Sequence, residues 1–287
     1  MKLFDRNKGN IKQEWVFNQK GNLWKFIFGG KDFIAGETRD LENKILYLFS
    51  IEIKTGKKFI KDFMFEEGNY WISTEGATSE ILYLHRFEKP ELPYHKNIIA
   101  LDIRTGRKLW ENEEYQYFFS TEDRLFGIKT KFEKADLAEI NKADGKVIRM
   151  IPDEEYNDII DMKRKTDEDL YTEYYNYPKP VSQFTPDSEV AEIISENVKN
   201  TEGEIEYIEK NGKLFFNYYV PADVNIKDLT RKYYKNIFCI YEVESRNKIY
   251  EDILNNSSSF NVPDNFFCKD DYLYYLREKK DIVAIKI

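Results

Sequence analysis

The chain has 287 residues, 41% hydrophobic and 33% charged, with a formal net charge of −8. That length allows a large core, and the composition excludes a disordered chain. The acidic balance argues against broad binding to nucleic acid or an anionic membrane, which need basic surface, and no stretch reaches the roughly 18 uncharged apolar residues of a membrane span.

The first residues, MKLFDRNKGNIKQEW, contain no apolar segment of the kind a secretory leader carries. With only Cys239 and Cys268, far apart in sequence, the expectation is a cytoplasmic monomer with reduced thiols. Residues 9–17, GNIKQEWVF, read as a strand. From there a pattern of short strands repeats. An apolar segment (LWKFIF, 23–28) is followed by a polar turn and a second strand (GGKDFIAG, 29–36), and an alternating strand then meets a tight turn and returns (IEIKTGKKFI, 51–60). The same order recurs in NYWIS (69–73), TSEILYL (78–84) and LDIRTGRKLWE (101–111), and again in YQYFFS (115–120), EDRLFGI (122–128) and INKADGKVI (140–148).

A fourth repeat is read from NDIIDM (157–162), DEDLYTE (167–173) and PVSQFTPDSEVAEIISE (180–196). The last part has an alternative as a short helix capped by Ser188, because serine accepts the free amides of a helix start. GEIEYI (203–208), NGKLFFN (211–217) and VESRNKIYE (243–251) form the fifth, with VPADVNIKDLTRKYY (220–234) inserted between strands. The sixth comprises DNFFC (264–268), DDYLYYL (270–276) and DIVAIKI (281–287). Phe33, Leu82, Leu125, Leu170, Leu214 and Leu273 then stand as equivalents, at steps of 49, 43, 45, 44 and 59 residues.

Four strands at a period of roughly 40–50 residues predict a β-propeller. The expected fold is all-β, one domain over 1–287, with six blades and seven as the alternative. The N-terminal strand supplies the last blade with its fourth strand and so removes the exposed edge of an open array.

The stretch IIALDIRTGRKLWENEE (98–114) closely resembles the repeat of quinoprotein-type propellers, the pyrroloquinoline-quinone-like or outer-membrane-assembly-lipoprotein-like group. The residues that carry it are Ala100, Leu101, Asp102, Thr105, Gly106, Leu109 and Trp110. It is partial at Thr55-Gly56 and Asp144-Gly145, and a WD40-like architecture is related. The resemblance implies that Trp110 packs between neighbouring blades, with Leu109 in the core. Phe59, Ile148, Tyr250 and Trp15 are expected in similar places. The quinone-dependent dehydrogenases of the group have a vicinal cysteine pair that this chain lacks, so no cofactor is carried over.

The chemistry-bearing residues point away from catalysis. No phosphate loop, dinucleotide fingerprint or Gly-x-Ser-x-Gly appears. His85 and His95 are the only histidines. His85 falls in the second strand of its repeat and His95 in the loop before the third; they could share a metal with Glu88 or Glu91, but the expectation is two ordinary surface histidines and no metal. Strand residues proposed to face a channel are apolar or mixed: Ile27, Phe28, Ile72, Ser73, Phe119, Ser120, Ile160 and Asp161. That favours a non-enzymatic scaffold holding a protein or peptide over the alternative, a small-ligand or sugar-processing enzyme with a carboxylate-lined channel. No catalytic residue, nucleic acid or membrane partner is expected. The candidate partner-binding residues are Tyr174, Tyr175 and Tyr177 in YTEYYNYPKP (171–180), with Arg231, Tyr233 and Tyr234 at the end of the insertion, because tyrosine and arginine dominate binding hot spots.

Overall fold

Alternating apolar residues fold residues 22–150 into three antiparallel sheets, each of four strands in chain order. The computed structural model describes residues 11–66, 70–88, 94–130, 135–168, 175–183, 188–222, 232–260 and 265–287. It divides into two units, Gln19–Asp169 and a second that joins Met1–Asn18 to Leu170–Ile287.

In the Gln19–Asp169 unit the first sheet comprises β2 (Asn22–Gly29), β3 (Phe33–Asp40), β4 (Ile45–Glu52) and β5 (Lys58–Phe63). The second comprises β6 (Ile72–Ala77), β7 (Ile81–Phe87), β8 (His95–Asp102) and β9 (Lys108–Asn112). The third comprises β10 (Gln116–Ser120), β11 (Leu125–Thr130), β12 (Ala135–Ile140) and β13 (Val147–Met150). One apolar cluster joins the first two sheets through Phe33, Leu48, Ile60, Leu82, Leu84 and Ile99. Another joins the second and third through Tyr83, Trp110, Tyr115 and Leu125.

The other unit holds two sheets. One runs β15 (Lys179–Pro180), β16 (Glu206–Lys210), β17 (Lys213–Pro221), β18 (Tyr234–Glu242) and β19 (Lys248–Ser258). The other runs β14 (Tyr175–Asn176), β20 (Phe266–Lys269), β21 (Tyr272–Arg277), β22 (Asp281–Lys286) and β1 (Gln13–Phe17). The N-terminal strand is thus the partner of the C-terminal one, with Trp15 opposite Ala284 and Phe17 opposite Ile282. Both aromatic rings of β1 are buried. The Gln13 amide donates to the hydroxyls of Tyr250 (2.7 Å) and Tyr275 (3.1 Å), and Tyr275 donates to Asp252 (2.6 Å). A buried network of this kind fixes one arrangement because each member depends on the others.

The turns that end β4, β8, β12 and β18 share one geometry. Glu52, Asp102, Asn141 and Glu242 donate their amides to the carbonyls of Lys57, Arg107, Lys146 and Asn247. Gly56, Gly106 and Gly145 have φ of 67°, 72° and 73°, and Arg246 fills the same place at 53°. Glycine adopts this left-handed conformation at little cost. Counting from these turns, the residues in the place of Trp110 are Ile60, Arg149 and Tyr250. Ile60, Trp110 and Tyr250 are buried. The expected Phe59 and Ile148 lie one position away, and Ile148 is 60% exposed. Leu109 is likewise exposed, because adjacent strand residues face opposite ways.

Trp110 packs as the resemblance implies. Its indole Nε1 donates to the Lys142 carbonyl at 2.7 Å, in the neighbouring sheet's turn. A Cβ at Gly145 would lie 2.4 Å from the Trp110 ring, so that turn must be glycine for two reasons.

The fourth repeat departs from expectation. NDIIDM is not a strand but part of α1 (Tyr156–Glu168). Tyr156, Ile159 and Met162 recur every three residues and pack on Phe119, Phe126 and Leu137. Ile160 and Asp161, which a strand would have placed in line, sit on the other side of the helix, with Ile160 47% exposed. Acidic residues Asp153, Glu154 and Glu155 precede the helix, where the dipole favours negative charge. The alternative at Ser188 is the one found. Its hydroxyl accepts from Ala191 N and caps α2 (Glu189–Asn197), which buries Val190, Ile193 and Ile194. Five sheets are therefore formed by the described residues, against six expected. The two-residue strands β14 and β15 extend the sheets of other repeats.

Candidate functional site

The polar residues of the Gln19–Asp169 unit converge where β3 meets β6. Glu37 and Arg39 are two apart on β3 and share one face. Both are buried, and they pair at 2.8 Å. Arg39 also donates to the Ile72 carbonyl (2.9 Å), while Glu37 accepts from the Ser73 hydroxyl (2.8 Å) and the Thr74 amide (2.7 Å). A buried pair is stable only when its remaining hydrogen bonds are made, and here they tie two sheets together. The sequence GETRD gives no sign of this, because it reads as a polar strand end.

An aromatic row surrounds that pair. The Arg39 guanidinium lies 5.2 Å from the ring of Trp24 and 5.0 Å from that of Tyr70. Tyr70 meets Trp71 edge-on at 5.2 Å, and Trp71 meets Phe87 at 6.3 Å. Trp24 and Trp71 are 59% and 38% exposed. Large exposed rings side by side mark an interaction surface more than scattered ones do.

Phe87 ends the row against two imidazoles, 4.9 Å from His85 and 5.8 Å from His95. The two histidines stack, with centroids 3.6 Å apart and planes 8° from parallel. Glu75 Oε1 lies 2.8 Å from His85 Nδ1 and 2.5 Å from His95 Nδ1. Two bulges bring these residues together. Thr74 pairs with Leu84 and Gly76 with Tyr83, which leaves Glu75 as the extra residue of β6. On β8, Ile98 and Asn97 stand together against His85, and Asn97 takes φ 61°. Bulges re-aim side chains in this way, often next to functional sites.

Burial works to raise the Glu75 carboxyl, but His85, His95 and Lys25 outweigh it and hold its pKa below the usual carboxylate value. Burial lowers the His85 imidazole further than Glu75 raises it, so this ring is largely neutral at pH 7. These are not the ordinary surface histidines expected from the sequence. His85 is on a strand as expected but buried, His95 opens β8 rather than lying in a loop, and the carboxylate beside them is Glu75. Glu88 is exposed, and Glu91 lies outside the described residues.

The tyrosines singled out in the sequence belong to the other unit. Tyr175 is buried on β14, with Tyr177 and Phe267 each 5.9 Å away. Its ring is therefore packed in the sheet rather than presented to a partner. Tyr177 is 36% exposed. Tyr233 and Tyr234 are half-buried on a different sheet, where Tyr234 pairs with Pro221 and the Ala222 amide donates to the Tyr233 carbonyl. The ends of the expected insertion are thus ladder, not loop. Tyr174 and Arg231 lie outside the described residues. The same unit contains a cavity of about 60 Å³ lined by Tyr219, Asn236, Leu254, Asn265, Leu276 and Lys279. The buried Asn236 amide has no hydrogen-bond partner, and a polar cavity of that size has room for ordered water.

Among the described residues no helix is long and apolar enough to cross a membrane. A family model described as a domain of unknown function, DUF4905, matches residues 29–110. No curated protein matches the chain. Among solved structures the chain is similar to BamB from Moraxella catarrhalis, at 7% identity and a TM-score of 0.29, over 96% of this chain and 100% of that one. It is also similar to the quinohemoprotein alcohol dehydrogenase ADHIIG from Pseudomonas putida HK5, at 8% identity and a TM-score of 0.29, over 100% of this chain and 45% of that one. A third is the Cps50 (Swd1) β-propeller domain of Myceliophteria thermophila, at 9% identity and a TM-score of 0.26, over 93% and 99%.

Proposed function

We propose that the chain is a non-enzymatic β-propeller that holds a protein or peptide partner. The propeller reading rests on the recurring four-strand repeat with its shared turn, and on β1 taking the place of the fourth strand beside β22. In this reading that pairing closes the ring.

The observation that carries the binding role is the pair of exposed rings Trp24 and Trp71, linked through half-buried Tyr70 and buried Arg39. Trp, Tyr and Arg are the residues most often found at the energetic centre of an interface. The row is also rigid. Buried Arg39, against which the Trp24 and Tyr70 rings lie, is held by Glu37 and a backbone carbonyl, so the support of those rings is fixed before binding, which limits the cost of ordering. A second reading keeps Tyr177, Tyr233 and Tyr234 as partner-binding residues, together with Tyr174 and Arg231, which lie outside the described residues, while Tyr175 is packed in its sheet.

Selection of a displayed peptide library on the wild-type chain tests this. Selected peptides should bind the Trp24→Ala/Trp71→Ala variant at least about tenfold more weakly, the equivalent of ~1.4 kcal/mol, while the melting temperature is unchanged. Equal binding by this variant and by Tyr177→Ala/Tyr233→Ala/Tyr234→Ala would remove both faces. Failure to select any peptide would count against a peptide-holding scaffold.

A further inference from the structure

We propose that Glu75, His85 and His95 form a binding site for a divalent transition-metal ion of the zinc type. The donor atoms of the three residues lie within 4.8 Å of one another. They come from three neighbouring strands, and two of those strands are bulged at this point. Register without bulges would leave Glu75 and His95 at ordinary ladder positions, since each added residue turns the following side chains to the other face.

The contacts within the group do not account for it. His85 is 3% exposed, yet neither ring nitrogen makes an aligned hydrogen bond. Its Nδ1 lies 2.8 Å from Glu75 Oε1, an oxygen that the stacked His95 ring shares at 2.5 Å. A buried polar atom left in this state is unfavourable, and a cation bonded to the imidazole removes that cost. His95 has a side chain 41% exposed, which provides an entry path and lets that ring turn out of the stack toward a shared ion.

The donor set identifies the class of ion. Two imidazoles and one carboxylate suit zinc, cobalt, nickel or ferrous iron, whereas calcium and magnesium take oxygen ligands. Three protein ligands leave a fourth position for water or for a group on a partner. The two imidazoles lie beside Phe87, at the end of the aromatic row. The metal site stands independently of peptide binding, because it rests on the donor geometry alone.

The test uses the tag-free full chain, stripped with a chelator and titrated with zinc chloride and cobalt chloride at pH 7.5. Calorimetry should show one equivalent bound, the cobalt form should absorb in the visible, and the melting temperature should rise with metal, as for any ligand of the native state. His95→Ala and Glu75→Gln should each weaken binding at least about tenfold, as loss of one of three ligands requires. Both avoid the buried His85, and melting of the metal-free variants checks that they fold. Lowering the pH to 5.5 should also weaken binding, because protons compete for the imidazoles. No binding at about 100 µM metal, a concentration at which even a weak site is filled, would overturn the proposal. So would zinc binding unchanged in both variants, or tighter binding of magnesium or calcium than of zinc.

Discussion

Trp110 shows how far single residues could be read from sequence. Its place after the Thr-Gly turn predicted inter-sheet packing, and the indole is buried with its nitrogen bonded to the Lys142 carbonyl. The neighbours are read less well. Leu109 and Ile148, expected inward, are exposed, because a shift of one residue reverses every side chain of a strand, while Phe59 is partly buried against the core. Counting from the turn glycines, not from the apolar letters, gives the correct register. Trp110→Ala should cost about 3–5 kcal/mol in a urea melt, the usual range for a large buried aromatic. Trp110→Phe should recover part of that, but not the hydrogen bond. A Trp110→Ala protein that melts like the wild type would show that the ring supports nothing. The cysteines fit their expected reduced state: both are free and buried, and burial pushes each thiol up to about 12.

At the scale of elements, strands were legible wherever alternation was regular, and the fourth repeat was not. A six-residue window such as NDIIDM supports a period of two almost as well as a period of three or four. The decision came from packing of Tyr156, Ile159 and Met162 on a neighbouring sheet, which no local pattern displays. The Glu75, His85 and His95 cluster was hidden for a related reason, since bulges have no clear signature in one sequence. Charge networks across strands were equally silent. In the sheet β6–β9, burial works to raise the Glu111 carboxyl, but Arg86, Lys108 and Asn97 hold it down to about 2. A carboxylate with a depressed native pKa contributes stability that is present above its unfolded value and lost as pH falls toward the native one. Unfolding midpoints should therefore drop between about pH 4.5 and 2, and Glu111→Gln should flatten part of that drop. An identical acid profile in wild type and variant would remove the network from the account.

For the whole molecule, the repeat was the most legible feature because it is written five times, four of them with the same turn, while the fourth of the six expected repeats is helical. The claim with the greatest consequence is that the first described strand completes the last sheet. β1 contributes the buried rings of Trp15 and Phe17 and the Gln13 amide, which joins Tyr250, Tyr275 and Asp252. Without it, β22 is an unpaired edge, and exposed apolar edges invite aggregation. The direct measurement is a thermal melt, with solubility recorded, of a chain lacking residues 1–17 beside the full-length protein. Loss of two large buried aromatics at about 3–5 kcal/mol each predicts a large fall in melting temperature or outright insolubility. A truncated chain that stays soluble and melts where the intact one does would contradict closure of the last sheet by the N-terminal strand.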